Sequence, residues 1–154
     1  MRHPNYSLKS VKKHTGREGP GYRALLVRAA DGKVLAEVYD AGDGGCTSIY
    51  TKDAEGYAEF KAYVAGCKLV CPGLGGQPEF EIKHEREGYA ISEIFDDTEL
   101  AKTFARVAKT ALVFRLEGDD ALSYRKLPLK GLSREAAIEF VRKHYDPKPI
   151  TILA

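Results

Sequence analysis

The chain has 154 residues, 44% hydrophobic and 30% charged, with a formal net charge of +2 and only three cysteines. This composition belongs to a globular fold of ordinary domain size and excludes a disordered chain. No apolar run is long enough to cross a bilayer, and Met1-Arg2-His3-Pro4-Asn5 has no signal-peptide core behind it. Cys46, Cys67 and Cys71 form an odd set, so at least one thiol stays free in any internal disulfide scheme. A reducing, cytoplasmic setting and no membrane partner are expected.

Charge is unevenly spread: from Arg2 to Arg17 there are five Lys or Arg residues and no acid. In this region Tyr6, Leu8 and Val11 lie among lysines, as in an edge strand with a basic outer side over residues 5–13. Gly16 to Gly21, with three glycines and Pro20, reads as a loop. Residues 22–28 and 33–39 are β-favouring runs separated by Ala29-Ala30-Asp31-Gly32, whose Asp-Gly pair supplies the positive φ of a tight hairpin.

A short strand over residues 47–50 is expected next, then a helix capped by Thr51 or Asp53 and ended by Gly66, with Tyr57, Phe60 and Val64 at helical spacing. Residues 66–78 are rich in glycine and proline and are expected to form an exposed loop, a hinge between two halves of the fold. Phe80-Glu81-Ile82 suits a brief strand, but the charged run Lys83-His84-Glu85-Arg86-Glu87 suits a solvated helix start equally well. Residues 89–109 carry a 3.6-residue apolar period, with Asp96-Asp97-Thr98 as an interruption where Asp97 or Thr98 would recap a second segment.

A second hairpin is predicted from residues 111–116 and 122–127 around Glu117-Gly118-Asp119-Asp120. Ser133 is placed to cap a last helix with Ala137, Phe140, Val141 and His144 on its apolar side, and residues 150–153 end the chain as a strand that pairs with a hairpin. The order, roughly β-β-β-α-α-β-β-α-β, is that of one α+β domain over residues 1–154: antiparallel hairpins with about three helices in a single pair of layers.

Chemistry concentrates at Asp40-Ala41-Gly42-Asp43-Gly44-Gly45-Cys46-Thr47, which leaves the first hairpin. Gly42, Gly44 and Gly45 allow close backbone approach, and consecutive amides at a strand end can hold an anion. The stretch lacks the Gly-Lys-Ser/Thr ending of a phosphate loop, however, and Asp40 and Asp43 would repel phosphate. Asp40, Asp43 and Asp53 are oxygen ligands without the glutamate that closes a calcium loop. Cys67 and Cys71, even with Cys46 and His84, do not make the compact pairs of a zinc site. No metal and no cofactor are expected, and the stretch reads first as a turn shaped by glycine. Nucleophilic catalysis would require Cys46 to meet His84 or His144 in space.

A nucleic-acid or partner surface is the other candidate. Lys9, Lys12, Lys13 and Arg17 near the start, and Arg115, Tyr124, Arg125 and Lys126 on the second hairpin, interleave with Tyr6, Tyr22 and Phe114, a combination suited to a single-strand platform. Solvated strand edges with protective lysines are the simpler account of the same residues.

The passage from the first hairpin through Asp40–Thr47 into a helix, together with Ala111–Asp119 and Tyr124-Arg125, resembles small proteins of unknown function encoded by bacteriophages and other mobile elements. The resemblance implies a non-enzymatic binding protein, with a protein as the expected partner and nucleic acid as the other option, and an inhibitor of a host defence system such as a guided nuclease as its setting. The alternative is a small enzyme, or a metal- or phosphate-binding protein, built on the Asp40–Cys46 loop.

Overall fold

The computed structural model describes residues 2–71, 78–119 and 123–154. The chain divides into two compact units, residues 1–98 and 99–154. It is an α+β fold with antiparallel sheets.

In the first unit, β1 (Tyr6–Thr15), β2 (Pro20–Arg28), β3 (Val34–Asp40) and β4 (Ser48–Thr51) form a sheet in that order, each antiparallel to the next. The predicted hairpin forms β2 and β3, and Gly32 takes φ 71° in its turn. Alternation sends Tyr6, Leu8, Tyr22, Ala24, Leu26, Ala36 and Val38 to one face. Against them pack Phe60 and Val64 of α1 (Ala54–Gly66) and Ala90, Ile91 and Ile94 of α2 (Arg86–Val107).

Two irregularities set the faces. In β1 the register shifts between Lys9 and Lys12, where Ser10 has φ 53°, so that Val11 still packs towards the core. In β3, Val27 faces Val34 but Leu26 faces Ala36, which leaves Leu35 as the extra residue of a bulge and buries it beside Ala36.

Asp53 caps α1 by accepting from the Gly56 amide at 3.0 Å. The other end of this helix has no basic residue in its last turn. The Arg86 guanidinium supplies one, donating to the carbonyls of Val64, Cys67 and Ile82. Cys67 leads into β5 (Val70–Cys71), which pairs with β6 (Phe80–Glu81), the brief strand expected there. Residues 72–77, six of the thirteen residues of the expected loop, lie outside the described residues.

The N-terminal residues are tied to α2. Arg2 forms ion pairs with Glu93 at 2.9 Å and Asp97 at 3.2 Å, and the buried His3 lies between Tyr63 (3.1 Å) and Glu93 (2.9 Å). The expected interruption at Asp96–Thr98 does not occur. The Thr98 hydroxyl donates to the Ile94 carbonyl at 2.7 Å within a continuous helix, and the carboxylates of Asp96 and Asp97 face Arg2.

In the second unit, β7 (Ala111–Leu116) lies between β8 (Arg125–Pro128) and β9 (Ile150–Ile152), antiparallel to both. Leu112, Phe114 and Leu116 meet Ala137 and Val141 of α3 (Arg134–Tyr145), which Ser133 caps through the Ala136 amide at 3.2 Å. The packed stripe of α3 runs through Ala137, Ile138, Val141 and Tyr145, not through Phe140 and His144. Those two are exposed and stack on each other, because the stripe turns with the 3.6-residue period towards Ile138.

Phe60 is fully buried and meets the Tyr6 ring edge-on at 4.8 Å. Phe60→Ala is expected to destabilise the first unit by about 3–5 kcal/mol in urea unfolding; an unchanged midpoint would contradict the packing described.

Candidate functional site

The Asp/Gly loop is a turn packed at Gly42 and exposed from Asp43 to Cys46. The Asp40 carboxylate accepts from the Gly42 amide at 2.8 Å and Asp43 from the Gly45 amide at 3.1 Å, so each aspartate caps the backbone two residues on. The Gly42 carbonyl in turn accepts the amides of Glu18 (2.8 Å) and Gly19 (2.9 Å) from the β1–β2 turn. The two turns fit so closely that a Cβ on Gly16 would lie 2.2 Å from the Ala41 carbonyl oxygen, and one on Gly42, with φ 68°, 2.5 Å from that of Gly19. Two of the loop amides that an anion would use are thus already bonded to carboxylates.

Beside the loop lies a cleft of about 460 Å³ lined by, among others, Asp40, Cys46, Tyr57, His84, Glu85 and Tyr89. It brings Asp40, Cys46 and His84 to one place, whereas Asp43 is not part of its lining. The partner of the Cys46 thiol is Glu85, at 2.8 Å, not an imidazole. Glu85 raises the thiol pKa through that hydrogen bond and its charge, which keeps the sulfur protonated and weakly nucleophilic near neutral pH. Among the described residues, no three His, Cys, Asp or Glu side chains gather as a metal site would require. Deeper in, Tyr22 stacks on Phe95 at 4.0 Å, and burial pushes its hydroxyl up to about 12.

Within neither unit do the basic and aromatic candidates share one exposed face. Tyr6, Tyr22 and Phe114 are buried in the cores, where alternation puts them, and so present no platform. Lys13 lies over the Phe95 ring at 5.9 Å on the inner side, Lys9 reaches towards Gly32, and Arg17 is exposed in the β1–β2 turn. On the second hairpin, Arg115 donates to the Ser123 carbonyl at 3.0 Å and Tyr124 meets Phe104 edge-on. Arg125 forms a two-pronged pair with Asp119 at 2.9 and 2.8 Å, and Lys126 is exposed on the neighbouring position of β8.

A different surface emerges on the outward face of the four-stranded sheet. Cross-strand pairing sets Lys12 beside Arg23, Arg23 beside Tyr39 and Glu37 beside Tyr50. Tyr39 and Tyr50 are 38% and 57% exposed. A depression of about 440 Å³ is lined by Arg23, Glu37, Tyr39, Tyr50 and Lys52. A second, of about 200 Å³, adjoins it through Arg23 and Glu37 and continues to Lys12 and Ser10. Together they make a shallow groove across all four strands. Glu37 holds Arg23 and Lys52 by ion pairs, which draw its pKa down, and the groove retains more cations than carboxylates.

Tyr39 is braced from β1. The His14 ring lies parallel to it at 5.3 Å, crossing β2 where Gly21 has no side chain; a Cβ there would fall 2.3 Å from His14 Nε2. Of the groove-lining residues, Lys12 is among the candidates that the sequence offers. The signal for the others lies in the alternation of Arg23 and Leu25 with Tyr22, Ala24 and Leu26, and of Tyr50 with Ile49, but the pairing depends on the bulge at Leu35.

No protein-family profile, curated protein or solved structure matches this chain. No helix among the described residues is long and apolar enough to cross a membrane.

Two outcomes are expected from these sites. In a Cys67→Ser/Cys71→Ser background, Cys46 should alkylate slowly with iodoacetamide at pH 7, and Glu85→Gln should accelerate it by lowering the thiol pKa; equal rates would remove Glu85 as the cause. The Arg125 guanidinium and the Leu116 amide hold Asp119 well below the ordinary carboxylate value of about 3.9. Its contribution to stability is therefore complete above that value and lost only as pH falls from there through the folded-state pKa. Carboxyl NMR should find Asp119 still ionised at pH 3, and Arg125→Gln should return its titration towards the ordinary range.

Proposed function

We propose that this is a non-enzymatic binding protein whose working surface is the groove on the outward face of the four-stranded sheet, and that its partner is an acidic macromolecule. The observation that carries the reading is the groove itself, in which Lys12, Arg23 and Lys52 surround one carboxylate, Glu37, beside the exposed rings of Tyr39 and Tyr50. Such a surface offers positive potential for encounter and flat aromatic area for contact at small cost in side-chain entropy. The Asp/Gly loop supports the same reading from the other side, since its aspartates cap backbone and Cys46 is held as a neutral thiol. The resemblance to small phage proteins adds a component of a host defence system as the setting in which the groove would act.

Retention of the full chain on immobilised heparin, an acidic polymer, tests this reading. The protein should elute at a salt concentration well above that of the triple variant Lys12→Ala/Arg23→Ala/Lys52→Ala. The control Lys68→Ala/Lys143→Ala, which removes exposed cations elsewhere, should elute close to the unmodified chain. Equal elution of the triple variant and the control would overturn the assignment of the surface.

A further inference from the structure

The groove has more definition than a polyanion needs. We infer that its ligand is a single-stranded nucleic acid, whose phosphates meet Lys12, Arg23 and Lys52 and whose bases stack on Tyr39 and Tyr50; this rests on the proposed function and names the partner class.

Three observations lead to that ligand. First, the groove runs across the strands, from Lys12 on β1 to Tyr50 on β4 and Lys52 just beyond it. Three inter-strand spacings of about 4.8 Å give it a length of about 14 Å, room for a short segment of an opened strand. A duplex presents its phosphates outside and its base faces inside the stack, so the two tyrosine faces would have nothing to stack on.

Secondly, the aromatic rings sit on neighbouring strands in a diagonal relation. Tyr39 pairs with Ser48 and Tyr50 with Glu37, so the rings are offset by two residues along the strands. Diagonal positions of this kind lie roughly 7–8 Å apart, a separation that allows each ring to receive a different base of an opened strand. Tyr39 is held from one side by His14, and the gap at Gly21 makes that possible, so its ring is positioned before any ligand arrives.

Thirdly, the charges are arranged around the rings and not under them. Lys12 and Lys52 stand at the two ends of the groove and Arg23 next to Tyr39, a pattern that follows a backbone while leaving aromatic faces to the bases. Glu37 keeps the long side chains of Arg23 and Lys52 over the sheet. It is also an acceptor suited to an exposed base amino group. An acidic peptide would use the cations but would leave Tyr39 and Tyr50 without flat partners.

Fluorescence anisotropy with the full chain and labelled twelve-nucleotide strands tests the inference, using a thymidine oligomer, its uridine counterpart and a mixed-sequence duplex of equal length. Single strands should bind more tightly than the duplex, with affinity falling steeply as salt rises. Tyr50→Ala and Tyr39→Ala should each weaken single-strand binding about tenfold, as expected for one lost stacking contact, while leaving retention on heparin unchanged. Tyr50→Phe, which keeps the ring, should bind like the unmodified chain. Heparin retention through the groove cations, with single-strand binding indifferent to both alanine substitutions, would overturn this inference and leave the proposed function standing, and so would tighter binding to duplex or to polyglutamate. Loss of groove-dependent heparin retention would remove both.

Discussion

One extra residue decides which way the middle of the sheet faces. Between the turn at Asp31-Gly32 and the end of β3, the bulge at Leu35 moves the β2–β3 pairing by one position. Because side chains alternate with a period of two, a one-residue shift exchanges the faces of everything beyond it relative to the partner strand. With the bulge, Tyr22 pairs with Asp40 and Arg23 with Tyr39. The buried tyrosine then sits with the core and the exposed tyrosine with the arginine. Without it, the continued register would set Tyr22 against Tyr39, one committed to the interior and the other to solvent. The core under α1 and α2 and the groove on the opposite side therefore depend on the same local irregularity.

At the end of these strands the glycines act by what they omit. Gly16 and Gly42 let two turns approach to main-chain contact, and Gly21 lets an imidazole cross a strand to reach a tyrosine. The Asp40–Thr47 stretch draws attention because it combines flexibility with carboxylates, the usual ingredients of an ion or phosphate site. Here both ingredients are used internally: the carboxylates bond to amides of their own loop, and the positive φ of Gly42 turns its carbonyl towards Glu18 and Gly19. The result is a hydrogen-bonded corner between β3 and β4.

Local chemistry made much of the fold legible. The Asp-Gly turn of the first hairpin, the caps Asp53 and Ser133, and the pairing of residues 150–152 with a hairpin strand all follow from short-range rules that the structure obeys. Features that depend on distant partners were not legible. The helix continues through Asp96–Thr98, and the two carboxylates there meet Arg2, more than 90 residues away, instead of capping a new segment. His144 leaves the packed side of α3 because Ile138 and Tyr145 carry the stripe. Basic and aromatic residues that are close along the chain belong to opposite faces of each strand, so Tyr6, Tyr22 and Phe114 lie in the cores and not beside the exposed lysines. Tyr50 and Lys52 join Arg23 only after pairing through β3, and no window of sequence contains all three.

The two borders of the four-stranded sheet are unequal. Along β1 the backbone kinks at Ser10, and Lys9, Lys12 and Lys13 crowd the same border with positive charge, so another strand meets a broken ladder and a repulsive rim. On the far side, β4 is only four residues long and has no such defect in its pairing with β3. The features that discourage pairing with a further strand are thus concentrated on the β1 border, whereas the β4 border is limited by its length alone.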